Sequence, residues 1–161
     1  MRVDVDAVAA ATTPVYLKQA EEILTWLRQQ SGEALQALWK CNDKIAEENQ
    51  QRIAKMDLSR GLTPAVLAYD GIAFKYMAPA VFEYGHYDYV QEHLRILSAF
   101  YGVLRPMDGV TPYRLEMQAK AAIGSSKDLY AYWGRRLYDA VRDESGVIIN
   151  LASKEYSKCV D

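Results

Sequence analysis

The sequence predicts a mixed α/β (α+β) fold in which a helical N-terminal part is followed by alternating short strands and helices. Apolar residues recur at helical spacing between positions 14 and 56. Two short continuous apolar runs stand at 65–69 and 147–151, and stretches of helical period separate them.

The helical part comes first. Leu17, Ala20, Leu24 and Leu27 fall on one stripe, with Lys18, Glu21, Glu22 and Arg28 largely on the other. Thr13-Pro14 is a start signal, a capping residue followed by proline at the first helical position. Ser31-Gly32 ends this helix, and Ser31 opens a second, short one carrying Leu35, Leu38 and Trp39. A third helix covers 43–56, with Ile45, Asn49, Ile53 and Met56 on its inner face.

Leu62-Thr63-Pro64 then breaks the pattern, and 65–69 reads as a buried strand before the Asp70-Gly71 turn. A short helix passes through Phe74 and Met77, and the helical period returns over 86–95. The run 96–104 reads as a helix end passing into a strand or loop, stopped by Arg105-Pro106. Residues 113–117 alternate as a strand would. Residues 127–142 read as one helix, with Leu129, Trp133, Leu137 and Val141 on its inner face. Gly146 stops it, 147–151 reads as a second buried strand, and Ser153 opens a last helix.

Composition narrows the function. The 161 residues fit one domain, 1–161, with no repeat and no linker. Half the residues are hydrophobic, which excludes a disordered chain. A net charge of −2 argues against a broadly polybasic binder but leaves room for a local basic groove. Cys41 and Cys159 have no metal-ligand spacing, and two free thiols in a reducing compartment is the favoured reading over one disulfide. No run reaches the length of a membrane span and the N-terminus does not read as a secretory signal, so the expected location is cytoplasmic.

Several strings carry a resemblance. They are Gln91-Glu92-His93-Leu94-Arg95-Ile96-Leu97-Ser98, Tyr101-Gly102-Val103-Leu104-Arg105-Pro106 and Pro112-Tyr113-Arg114-Leu115-Glu116-Met117. Asp128-Leu129-Tyr130 with Trp133-Gly134, and Ile149-Asn150-Leu151-Ala152-Ser153-Lys154-Glu155-Tyr156, complete the set. In this order they resemble the YaaA family of bacterial peroxide stress proteins, across nearly the whole chain. Family members open with a strand ending in Pro-Ala-Lys and continue past Asp161 through a basic segment, so the chain resembles a fragment truncated at both ends. The resemblance implies a cytosolic protein of the hydrogen peroxide response that keeps unincorporated iron low and limits oxidative damage. It also implies an unusual α/β fold with a helix-hairpin-helix-like element and a positively charged cleft for DNA. No enzyme reaction comes with it.

Within 14–56, the helix-hairpin-helix-like element maps onto 31–40, the Cys41-Asn42 connection and 43–56. Such elements offer backbone N–H groups to a phosphate, and Lys40 and Lys44 flank the connection. The usual glycine pair is missing and Asp43 and Glu47 lie close by, so a plain helical hairpin packed on the domain is the structural alternative.

Arg105 and Arg114 flank a Pro-Met-Asp-Gly turn and suit a fork for phosphate oxygens, with Tyr113 to stack on a base and Lys120 nearby. The structural alternative pairs Glu116 with one arginine. Asn150 and Ser153 stand where a strand meets a helix start, a common place for anions, or else form a simple cap. The same region suggests a second function, an enzyme acting on a nucleobase or nucleotide in a pocket of Tyr113, Arg114, Glu116, Asn150 and Ser153, with Glu116 as general base. His86 and His93 on one helix would stand about 10 Å apart, too far to chelate one ion. The expected partners are therefore DNA or a small anionic ligand, with no membrane, no metal and no cofactor.

Overall fold

The computed structural model describes Met1 and residues 8–160. The helical N-terminal part contains α1 (Leu17–Arg28), α2 (Gly32–Trp39) and α3 (Asp43–Lys55). α1 buries Ala20, Ile23, Leu24 and Leu27. α2 starts where Ser31 Oγ accepts from the Ala34 amide at 3.2 Å. α3 starts where Asn42 Oδ1 accepts from the Ile45 amide at 3.0 Å. Arg28 joins α1 to the end of α3, donating from Nε to the Ile53 carbonyl at 2.9 Å and from Nη2 to the Met56 carbonyl at 2.8 Å. That satisfies carbonyls left open at a helix C-terminus and places a cation against the negative end of its dipole.

The strands are short. β1 (Thr63–Pro64) leads directly into α4 (Ala65–Ala68), followed by α5 (Ile72–Met77), a 3-10 turn (Pro79–Val81) and α6 (Tyr84–His93). β2 (Ile96–Ser98) and β3 (Gly102–Leu104) form an antiparallel hairpin with Ile96 opposite Leu104. β4 (Gly109–Val110) pairs antiparallel with β1, and Thr12 forms a bridge with Asp108. After a long irregular stretch come α7 (Leu129–Trp133), α8 (Arg136–Val141) and α9 (Lys154–Ser157). Helices with small antiparallel strand pairs make the fold mixed α/β, as expected.

The β2–β3 hairpin accounts for the Tyr-Gly-Val-Leu-Arg-Pro string. Ser98 Oγ accepts from the amides of Phe100 and Tyr101, closing the turn. Gly102 has φ +77°, and a Cβ there would lie 2.7 Å from Trp133 Cζ3. Both the backbone and the neighbouring ring therefore demand glycine. The Trp133 indole N–H donates to the Ala99 carbonyl at 2.9 Å, which locks the ring in place. Around it the core gathers Phe100, Tyr101, Leu104, Met117, Leu129 and Leu137 with the inner face of α1.

Four expected elements take a different form. Residues 65–69 form one helical turn instead of a strand, because the Ala65 and Val66 amides donate to the Asp108 and Pro106 carbonyls and Tyr69 N–H returns to Ala65. A buried apolar run of that length does not distinguish the two by periodicity. Residues 113–117 are irregular, although burial alternates from Leu115 to Ile123, with Leu115, Met117, Ala119, Ala121 and Ile123 inward. The alternation was legible; a ladder partner is missing among the described residues. The helix expected over 127–142 breaks at Gly134, whose φ of +52° and ψ of −137° suit glycine alone. Residues 147–151 form no strand, and Val147, Ile149 and Leu151 are 71%, 81% and 86% exposed. The Val147 amide is drawn into a turn by Ser145 Oγ, and Asn150 Oδ1 accepts from the Ala152 amide.

Among the described residues no helix is long and apolar enough to cross a membrane.

Candidate anion-binding site at the first helical hairpin

α2 and α3 pack against one another through a connection of Lys40, Cys41 and Asn42. Lys40 takes a left-handed conformation, φ 48° and ψ 50°, where glycine would be unstrained. Gln36 fastens the connection by donating to Asp43 Oδ1 at 2.7 Å and to the Cys41 carbonyl at 3.3 Å. The amides at the start of α3 are not all open, since Asn42 occupies that of Ile45 and the Asp43 carboxylate stands beside them. Lys40 and Lys44 are both solvent-exposed.

Arg114 reaches this hairpin from a distant part of the chain. Its Nη2 donates to the Trp39 carbonyl at 3.3 Å, one peptide bond from Lys40. Arg114 Nε is buried without an acceptor, and so is the Trp39 indole nitrogen. No carboxylate pairs with Arg114 among the described residues. A buried N–H without an acceptor costs about 1–3 kcal/mol. Two donors, one in Arg114 and one in Trp39, the last residue of α2, are thus buried without acceptors. Trp39 belongs to this arrangement and was not singled out in the sequence, where it reads as a core residue.

The other predicted residues lie in different settings. Arg105 does not fork with Arg114 over the turn in the expected way: its Nε pairs with Asp108 Oδ1 at 3.6 Å, and Asp108 Oδ2 also accepts from the Arg105 amide at 2.8 Å. Asp108, 1% exposed, is thus the carboxylate that fixes the loop, a role expected of Glu116. Glu116 and Lys120 lie on the outward phase of the alternating stretch and face solvent.

Tyr113 turns inward. Its ring stacks on Phe100 with centroids 5.0 Å apart, and its hydroxyl lies 2.7 Å from both Tyr69 Oη and Ser98 Oγ. Burial pushes the Tyr113 hydroxyl well above the usual phenol range, with the neighbouring Tyr69 adding to the effect. Its hydroxyl is held in the core, whereas stacking on a base requires an open ring face. Asn150 and Ser153 are exposed, and Ser153 precedes the four-residue α9 with no side-chain cap bond. The simple side-chain cap expected of Ser153 is therefore absent; its carbonyl accepts from the Tyr156 and Ser157 amides instead. Tyr156 points inward rather than to a ligand, and burial raises its hydroxyl above the usual range.

Among the described residues one cavity of about 450 Å³ lies beside α7 and α8 and another of about 470 Å³ beside the end of α3. Neither is lined by Tyr113, Arg114, Glu116, Asn150 or Ser153, so the convergent pocket expected of these residues is at neither place. His86 Nδ1 accepts from the Glu83 amide in a capping box at the start of α6, and among the described residues no three metal-ligating side chains gather. Cys41 and Cys159 are both half-buried and are not joined to one another by a disulfide.

These features define a mixed α/β protein in which Arg114 bonds to the end of α2, one residue before Lys40. The chain belongs to the family of the peroxide stress protein YaaA, whose sequence profile matches residues 2–161. It is similar to a UPF0246 protein of Agathobacter rectalis, with 63% identity over 100% of this chain and 65% of the relative. A UPF0246 protein of Lachnoclostridium phytofermentans is 50% identical over 98% of this chain and 62% of the relative. One from Lactiplantibacillus plantarum is 51% identical over 99% and 64%. The chain thus spans slightly less than two thirds of the length of these curated relatives.

Proposed function

We propose that this chain is part of a cytoplasmic protein of the hydrogen peroxide response that limits iron-linked oxidative damage by binding DNA through a local basic surface. The observation that carries this reading is Arg114: a half-buried guanidinium with no carboxylate partner among the described residues, held at the Trp39 carbonyl one peptide bond from Lys40. Phosphate oxygens supply the acceptors that its Nε and the Trp39 indole lack. Lys44, Arg105 and Lys120 are exposed and supply further backbone contacts in this reading. With a net charge of −2 the chain binds DNA only where its cations are locally concentrated, so the reading requires these residues to act together.

The test is duplex DNA binding by this chain across a range of salt concentrations. Affinity should fall steeply with salt, and Arg114→Gln should lower the slope of log K against log salt by about 1. No retention of DNA at low salt, or a slope unchanged in Arg114→Gln and Lys40→Gln, removes the reading.

A further inference from the structure

The cavity beside α7 and α8 shares no residue with the hairpin site. Its walls include the rings of Tyr130, Trp133 and Tyr138, and its charged lining is Arg135 and Lys158, both cations, with Cys159 beside them. Its volume, about 450 Å³, falls within the range of small-molecule sites.

The rings are held in advance. The Tyr130 hydroxyl donates to the Glu155 carbonyl at 2.9 Å, and the Trp133 indole donates to Ala99. Trp133 is 1% exposed and forms the buried floor, so the aromatic surface open to the cavity comes from the half-buried Tyr130 and Tyr138. Gly134, with φ +52°, separates α7 from α8 at the cavity wall. The Arg135 guanidinium lies 5.5 Å from the centre of the Tyr138 ring and is held by Asp139 at 3.2 Å. Lys158 is exposed and forms no ion pair among the described residues.

The two tyrosine rings favour a flat ring, and Lys158, with no ion pair among the described residues, beside the Asp139-held Arg135 favours an anion. We propose that this cavity binds a planar heteroaromatic phosphate of nucleoside monophosphate size, with its ring against the aromatic walls and its phosphate at Lys158 and Arg135.

Cys159 reports on occupancy of the cavity, and Cys41, on the α2–α3 connection, reports separately on phosphate at the hairpin. The experiment measures alkylation rates of both thiols in this chain with adenosine monophosphate, adenosine or inorganic phosphate. At about ten times its Kd, adenosine monophosphate leaves the cavity free about one-tenth of the time, so Cys159 should react about tenfold more slowly. Protection of Cys41 with none of Cys159 would place the phosphate at the hairpin and overturn the proposal. Adenosine and phosphate separately should protect less, and Lys158→Gln and Tyr138→Leu should each weaken protection while the folded chain melts normally. Unchanged Cys159 reactivity, equal protection by inorganic phosphate, or full protection in both variants overturns the proposal. Arg114→Gln leaves this readout untouched, so the result is separable from DNA binding.

Discussion

Asp108 Oδ1 accepts the Thr12 hydroxyl at 2.6 Å, which joins the N-terminal segment to the β3–β4 turn 96 residues away. The same carboxylate receives the Arg105 amide and the Arg105 guanidinium, while the Asp108 carbonyl accepts from Ala65. The buried side chain thus ties the N-terminal segment to its own turn, and the Asp108 backbone ties in the start of α4. Asp108→Asn places an NH2 group among donors and removes the charge. It should destabilise the chain by about 2–4 kcal/mol in urea unfolding, since breaking a buried charged network leaves its partners unsatisfied. Arg105→Met should cost less, because its side chain is 46% exposed and solvent screens the pair.

The β2–β3 turn separates backbone strain from crowding. Gly102 and Gly124 both have positive φ, +77° and +58°. A Cβ at Gly102 meets Trp133 at 2.7 Å and Tyr16 Cδ2 at 3.0 Å, whereas at Gly124 nothing lies within 4 Å. Gly124→Ala should cost about 1 kcal/mol from its backbone alone. Gly102→Ala should cost about 2–4 kcal/mol, adding displacement of a locked indole. Equal losses in thermal melts would mean that Trp133 yields freely.

How much of this was legible in the sequence differs by element. The α1 stripe and the alternation over 113–117 followed from periodicity, because burial on one side leaves its period in the residue types. Neither the alternation of 113–117 nor the apolar run of 147–151 states whether a ladder neighbour exists, which is why both were expected as strands. Likewise Leu129, Trp133 and Leu137 are buried as a four-residue repeat predicts, but the helix breaks between them, and the signal was Gly134. At the site, Lys40 and Arg114 were chosen by residue type. The contribution of Trp39 depends on which carbonyl Arg114 meets across 75 residues, a tertiary fact that local spacing does not carry.

The tyrosines predict the alkaline limit of stability. Tyr101 is pushed up to about 12 by burial, against an ordinary value of 10.0, and burial also raises Tyr69, Tyr113 and Tyr156. Above the ordinary value the unfolded chain releases phenolic protons that the folded chain retains. Stability is therefore fully present below about pH 10 and is lost as pH rises through the folded values. Phenolate absorbance should appear together with loss of helical circular dichroism. Tyr101→Phe should reduce the pH dependence of stability above pH 10, most clearly between pH 10 and 12. Early phenolate absorbance from Tyr101 in the intact fold would show that its hydroxyl is open to water.

Two tryptophans allow the same substitution with opposite bookkeeping of donors. The Trp133 indole N–H has its acceptor, the Ala99 carbonyl at 2.9 Å, whereas the Trp39 N–H is buried with none. Trp133→Phe loses ring area and leaves the Ala99 carbonyl unpaired, a combined cost of about 2–4 kcal/mol. Trp39→Phe loses similar area but also removes an unsatisfied donor, whose penalty of about 1–3 kcal/mol is recovered. Its net change should lie within about 1 kcal/mol of zero in urea unfolding. On the proposed DNA-binding reading the DNA readout should move the other way, with Trp39→Phe weakening binding by removing a donor proposed to meet a phosphate oxygen. A variant that is strongly destabilised, or one that keeps full DNA affinity, would place the Trp39 indole outside the anion site.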